Sequence, residues 1–179
     1  MYNQPDPQIS GWMSDCELEW LCEKASHMDS VVEIGCWKGR STHALLSGCL
    51  GKVFAVDHFQ GNPGENEIGG AHGEAKTADI HEIFKANVGH FPNLVILKMD
   101  SVTASKLFND KEIDMVFIDG DHSREGFEAD LNAWLPKCRK LICGHDITQD
   151  GVPEVLERYK GKFQTNPLTS IWSMEIKNL

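Results

Sequence analysis

Five short apolar segments alternate with helical patterns along this chain, and this alternation limits the folds that it can adopt. The apolar segments are residues 31–35, 52–57, 94–100, 113–119 and 140–144. Strands that are apolar on both faces and separated by helices indicate a parallel sheet with helices on each side. The sequence therefore predicts one doubly wound α/β domain over residues 1–179.

The two ends of the chain extend this pattern. Residues 1–30 predict an N-terminal helical segment, in which Ser14 and Glu17 fit a capping box. Residues 163–165 and 171–176 predict two closing strands. We therefore expect a mostly parallel sheet whose last strand is antiparallel.

One internal segment has neither pattern. The stretch from His58 to Gly73 holds five glycines and little apolar content. Glycine gives a chain conformational freedom, and such stretches are typical of loops. The sequence predicts a mobile loop over residues 58–75, which could close over a bound ligand.

Charge and composition exclude several classes of protein. The formal net charge is −10, which argues against a nucleic-acid partner that needs clustered Lys and Arg. Residues 1–10 lack the apolar run of a signal peptide, and no segment has the roughly 20 apolar residues of a membrane span. The six cysteines form no CxxC pair, so we expect reduced thiols in a cytoplasmic protein. A homo-oligomer is compatible with this composition.

Ligands of doubly wound sheets bind outside the carboxyl ends of the strands. The first strand leads into Gly35 and Gly39, which allow a tight turn and close approach of the backbone to a ligand. An ordinary strand-to-helix turn would also explain these glycines. The loop lacks the GxGxxG spacing of a dinucleotide site, which disfavours a nicotinamide enzyme.

Acidic residues follow the second and third strands. Asp57 could accept hydrogen bonds from the hydroxyls of a ribose, and Asp100 with Ser101 could accept from an adenine amine. Both acids could instead cap helices or turns. Acids at successive strand ends suit a cationic ligand that carries adenosine better than a polyphosphate.

Two further motifs follow the fourth and fifth strands. Asp119 ends the fourth strand, and His145 and Asp146 end the fifth. Because these strands are neighbours in a doubly wound sheet, we expect the three side chains to form a divalent-metal site. Helix caps with a buried Asp–His hydrogen bond are the alternative.

These motifs carry a family resemblance. The chain resembles class I S-adenosylmethionine-dependent methyltransferases, which have a Rossmann-like sheet. The likeness extends from Gly11 to Pro153. It is closest to a small group with Val-Glu-Ile-Gly-x-Trp-x-Gly-Arg-Ser at the first strand, Phe-Ile-Asp-Gly-Asp-His-Ser after the fourth, and Gly-His-Asp at the fifth, which here are residues 32–41, 117–123 and 144–146.

The resemblance implies a binding site for S-adenosylmethionine. The first loop would wrap its methionine part, the acid after the second strand would hold the ribose, and the residues after the third would lie beside the adenine. Trp37 replaces the usual middle glycine of the first motif. The predicted cofactor residues are Glu33, Gly35, Cys36, Trp37, Gly39, Ser41, Asp57, His58, Asp100, Ser101 and Asp119.

The resemblance also extends to O-methyltransferases that need a metal. It implies that Asp119, His145 and Asp146 hold a divalent ion, which could be Mg, Mn, Fe or Zn because a histidine replaces the usual acid. His122 occupies the position of the general-base lysine in catechol-type enzymes. The alternative is that His122 only lies at the start of a helix and has no catalytic role.

The sequence thus predicts a methyltransferase that acts on the hydroxyl of a small molecule, such as a sugar, a phenol or a natural product. Metal-free transfer with His122 as the base keeps the same enzyme class. A nicotinamide oxidoreductase and a cofactor-binding protein without turnover are the remaining alternatives.

Overall fold

A computed structural model describes residues 9–62, 70, 72–149 and 151–179. The helices are α1 (Asp15–Ala25), α2 (Arg40–Gly48), α3 (Ile80–Val88), α4 (Ser101–Ser105), α5 (Arg124–Trp134) and α6 (Gly151–Leu156). The strands are β1 (Ser30–Ile34), β2 (Lys52–Val56), β3 (Leu94–Leu97), β4 (Ile113–Ile118), β5 (Cys138–Gly144), β6 (Gln164–Thr165) and β7 (Trp172–Glu175).

The described residues form one seven-stranded sheet in the order β3-β2-β1-β4-β5-β7-β6. Strands β1 to β5 pair in parallel, and the order reverses direction between β1 and β4. Strand β7 pairs antiparallel with both β5 and β6. The predicted doubly wound, mostly parallel sheet with an antiparallel last strand is confirmed.

Alternate residues of the strands pack into two separate hydrophobic cores, because successive side chains of a strand point to opposite faces. On one face, Val31, Val53 and Met115 pack with the side chains of α1, α2 and α3. On the other face, Val32 and Val116 pack with those of α4, α5 and α6. Burial on both faces explains why the strands are almost continuously apolar.

Short polar side chains begin several helices. Ser14 and Glu17 form the predicted capping box at α1. Asp100 begins α4 by accepting the Thr103 N–H at 2.9 Å. Because Asp100 is the N-cap, the chain has already left the sheet there, and β3 ends at Leu97 rather than at residue 100.

The predicted loop over residues 58–75 lies partly outside the described residues, which omit 63–69 and 71. Of its described part, residues 73–75 belong to a single 3-10 turn, Gly73–Lys76. Its mobility stays a prediction. The predicted N-terminal helical segment is present as α1, and residues 1–8 also lie outside the described chain.

Five of the six cysteines are buried, and Cys16 is exposed. All six are free thiols in the structure. Among the described helices, none has the length and apolar character needed to cross a membrane.

Candidate cofactor and metal site

A cleft of about 490 Å³ opens over the carboxyl ends of the parallel strands. Twelve of the predicted site residues line it. They are Gly35, Cys36, Trp37, Ser41, Asp57, His58, Asp100, Ser101, Asp119, His122, His145 and Asp146. The two predicted residues outside the lining are Glu33 and Gly39.

The loop after β1 is held by the acid after β2. One oxygen of Asp57, Oδ2, accepts hydrogen bonds from the backbone N–H groups of Cys36 at 2.8 Å and Trp37 at 2.9 Å. Its other oxygen, Oδ1, accepts the N–H of Phe59 at 2.6 Å. Asp57 therefore shapes the loop, and its predicted contact with a ribose would be an additional role.

Two glycines and one tryptophan of this loop have left-handed backbone conformations. Gly35 has φ +83°, and a side chain there would begin 2.1 Å from the carbonyl oxygen of Asp119. Trp37 has φ 46°, although it is not a glycine. The loop therefore keeps a path that glycine favours, while the Trp37 ring packs 4.7 Å from the His72 ring and 6.0 Å from that of Trp12.

Glu33 lies beneath the loop and is fully buried. Its Oε2 accepts a hydrogen bond from the hydroxyl of Thr42 at 2.5 Å, whereas its Oε1 has no hydrogen-bond partner among the residues that the structure describes. Burial raises the pKa of Glu33 to about 7. A direct contact between Glu33 and a cofactor stays a prediction.

The part of the cleft that is predicted to bind adenine contains a buried acid, Asp130, that sequence reasoning missed. The hydroxyl of Ser101 donates to Asp130 at 2.5 Å and accepts the indole N–H of Trp134 at 3.0 Å. Asp130 is buried, and burial raises its pKa to about 6. Its position within the apolar stripe of α5, between Phe127 and Leu131, was the available signal.

Asp119, His145 and Asp146 converge at the ends of β4 and β5. These strands are paired up to Ile118 and Gly144, so the residues that follow lie side by side. One potential ligand atom from each of the three lies within 4.8 Å of the others. The distances from His145 Nδ1 are 3.1 Å to Asp146 Oδ1 and 3.7 Å to Asp119 Oδ1. This donor set of two carboxylates and one imidazole fits a divalent cation.

The same three groups perturb one another electrostatically. Although burial opposes ionisation of the ring, Asp146, Asp119 and Glu17 raise the pKa of His145 to about 9. Burial raises the pKa of Asp119. Burial also opposes the charge on Asp146, but hydrogen bonds with His122 and His145 lower its pKa below the ordinary value. The carboxylates of Asp146 and Glu17 thus favour a positive charge at His145, which a cation bound at Nδ1 would supply in place of a proton.

His122 lies at the edge of this cluster. Its Nε2 is 2.8 Å from Asp146 Oδ2, and about a quarter of its side chain is exposed, at 26%. Asp146 has φ 60° and contacts His145 through one oxygen and His122 through the other. The structure therefore brings all four predicted metal and base residues together.

Glu17 is a second residue of this region that sequence reasoning missed. Its role in the capping box was predicted, but its Oε1 also lies 3.2 Å from His145 Nε2. The two residues are 128 positions apart. A local sequence pattern gives no signal for such a contact.

The sheet order and the position of the cleft define a doubly wound α/β protein with a cleft at the switch between β1 and β4, where ligands of such sheets bind. Residues 32–147 match a methyltransferase-domain family. The chain belongs to that family. Among curated proteins, none matches this sequence significantly.

Solved structures share the fold. An O-methyltransferase from Bacillus cereus in complex with SAH is 15% identical, with a TM-score of 0.60 over 94% of this chain and 84% of that one. A SAM-dependent O-methyltransferase from Thermotoga maritima is 11% identical, with a TM-score of 0.64 and coverages of 95% and 68%. An SAH-bound methyltransferase from Podospora anserina is 14% identical, with a TM-score of 0.62 and coverages of 91% and 79%.

Proposed function

We propose that this protein is an S-adenosylmethionine-dependent methyltransferase that methylates a hydroxyl oxygen of a small molecule with the help of a divalent metal. The observation that carries the proposal is the convergence of Asp119, His145 and Asp146 in the same cleft as the loop after β1. Family membership supports methyl transfer. The structural neighbours described with SAM or SAH support the choice of cofactor.

The cofactor supplies a methyl group on a sulfonium, which is already a good electrophile. The protein therefore has mainly to orient the reactants, which can contribute roughly 7–11 kcal/mol to lowering a bimolecular barrier. The loop of Gly35 and Trp37 would hold the methionine part, Asp57 the ribose, and the region of Ser101 the adenine. The fixed loop geometry set by Asp57 favours such orientation.

A divalent ion would be held by Asp119, His145 and Asp146, and would orient the acceptor hydroxyl and lower its pKa. The imidazole of His122 would accept the hydroxyl proton. The resulting imidazolium would be stabilised by Asp146, whose Oδ2 lies 2.8 Å from His122 Nε2. Histidine suits this role because its ordinary pKa lies near neutrality.

The contact between His122 and Asp146 also favours a second mechanism. A carboxylate that orients an imidazole is the arrangement of many general bases, and it needs no metal. In that mechanism the proton still goes to His122, and the enzyme class is unchanged. A nicotinamide oxidoreductase gains no support from the family match.

The size and chemistry of the cleft support a small acceptor that carries a hydroxyl. The cleft of about 490 Å³ has to hold the cofactor as well, which leaves room for a small acceptor. The end formed by Asp119, His145 and Asp146 suits an acceptor that offers a hydroxyl. We propose sugars, phenols and hydroxylated natural products as acceptors.

Radiolabelled cofactor tests the proposal directly. Incubation with a panel of hydroxylated acceptors should give labelled product with a divalent ion present. Product that forms equally well after exhaustive chelation would support the metal-free mechanism. No transfer to any acceptor, despite cofactor binding, would indicate a binding protein without turnover.

A further inference from the structure

The buried carboxylate of Glu17 joins helix α1 to the candidate metal site. Glu17 is 5% exposed. Its Oε1 lies 3.2 Å from His145 Nε2 and accepts the backbone N–H of Ser170 at 2.8 Å. Three distant parts of the chain therefore meet at one oxygen atom.

The second oxygen of Glu17 fixes the carboxylate in place. Oε2 accepts the backbone N–H of Ser14 at 2.8 Å and the Ser14 hydroxyl at 2.7 Å. Helix capping uses this oxygen alone. Capping therefore leaves the contact between Oε1 and His145 unexplained.

The two ring nitrogens of His145 face different groups. Nε2 faces Glu17, which as a carboxylate can only accept a hydrogen bond, so Nε2 carries a proton. Nδ1 faces Asp119 and Asp146 at 3.7 and 3.1 Å. A metal ligand needs a ring nitrogen with a lone pair, and a hydrogen bond at the other nitrogen decides which one it is.

We infer that Glu17 is a positioning residue that holds His145 with its Nε2–H toward Glu17 and its Nδ1 toward the cation. The inference rests on the proposed metal site. Carboxylates behind a ligating histidine typically contribute 10–100-fold to metal affinity. The cap of α1 thereby becomes part of the metal site, because the same side chain serves both.

Zinc titrations of two variants separate positioning from capping. Glu17→Gln alters the partner of His145, and we expect it to weaken Zn²⁺ binding by about 10–100-fold in calorimetry. Ser14→Ala removes one hydrogen bond of the cap, but the backbone N–H groups of residue 14 and Ser170 still hold Glu17 beside His145, so Zn²⁺ binding should stay within about threefold. Equal zinc affinity in Glu17→Gln and wild type would overturn the inference and leave the metal site standing.

Nuclear magnetic resonance of the wild-type protein tests the same inference and does not depend on whether a variant folds. In the zinc-loaded protein, the ¹⁵N shifts of the His145 ring should show a proton on Nε2 and metal on Nδ1. Metal on Nε2 would overturn the positioning role. Wild-type protein that binds no zinc would instead overturn the proposed metal site, and this inference with it.

Discussion

The carboxylate of Asp57 accepts a hydrogen bond from the backbone N–H of Trp37 at 2.9 Å, at a residue whose φ is 46°. The acid after β2 thus holds the loop after β1 in a conformation that a tryptophan would otherwise avoid. This relationship couples the two segments that we assign to the methionine and the ribose of the cofactor.

Replacing Asp57 with alanine should weaken binding of S-adenosylhomocysteine by more than tenfold, which corresponds to about 1.4 kcal/mol. The variant leaves three backbone N–H groups without their acceptor and removes the predicted ribose contact. Calorimetry with the ligand and its 2′-deoxy analogue separates the two effects. If Asp57 contacts the ribose, the wild-type protein should discriminate between these ligands more strongly than Asp57→Ala does. Equal discrimination by the wild type and the variant would mean that Asp57 shapes the loop and makes no contact with the ribose.

Two substitutions of Trp37 should differ in stability because of its backbone. Both remove the contacts with Trp12 and His72, but only Trp37→Gly relieves the left-handed conformation. We expect Trp37→Gly to be more stable than Trp37→Ala by about 1 kcal/mol in urea unfolding. An alanine variant as stable as the glycine variant would show that the loop relaxes.

The pH dependence of stability should report on Glu33. Its folded pKa of about 7 exceeds the ordinary value of 4.5, so between these pH values the folded state holds a proton that the unfolded state has lost. This group therefore lowers the free energy of unfolding as pH rises from 4.5 through 7, by up to roughly 3 kcal/mol.

Glu33→Gln removes that titration. Urea unfolding between pH 5 and 8 should show a flatter profile for Glu33→Gln than for the wild type, whereas Glu19→Gln, at an exposed position of α1, should leave the profile unchanged. Parallel profiles for Glu33→Gln and wild type would mean that Glu33 is ionised in the fold at all these pH values.

Substitutions at the cation site should separate metal chemistry from base chemistry. Asp119→Ala should abolish metal-dependent turnover. Asp146→Ala should do the same, but it also removes the partner of His122, so Asp119 gives the cleaner test. Turnover by Asp119→Ala at the wild-type rate would remove the metal from the mechanism.

His122→Ala should lower the rate of transfer by roughly 10²–10⁴ if His122 is the general base. The loss should shrink for an acceptor whose hydroxyl is already acidic, because such a substrate needs less help in losing its proton. Rates measured across phenols of graded acidity test this. A loss that is the same for all of them would assign His122 a structural role.

The sheet and the ends of most of its strands could be predicted from sequence because they depend on local patterns. Apolar runs that end at Asp57 and Asp119 locate the strands, and parallel pairing then places the following residues along one edge. Because β4 and β5 are neighbours in such a sheet, the sequence also predicts that His145 and Asp146 lie beside Asp119, as they do in the structure.

Contacts between distant segments could not be predicted in this way. Glu17 meets His145 across 128 positions, and Ser101 meets Asp130 across 29. Asp114, buried and bound by Arg139 and Lys140, is a further acid of this kind. The local patterns around these acids are those of an ordinary cap, helix stripe and strand, so their partners become visible only when the helices are placed on the sheet.

Calorimetric titration of the wild-type protein with S-adenosylhomocysteine, beside a parallel titration with NADH, decides between a site for a methyl donor and a site for a nicotinamide cofactor. We expect S-adenosylhomocysteine to bind with one molecule per chain and NADH to give no comparable signal. Tight binding of NADH together with no response to S-adenosylhomocysteine would contradict it.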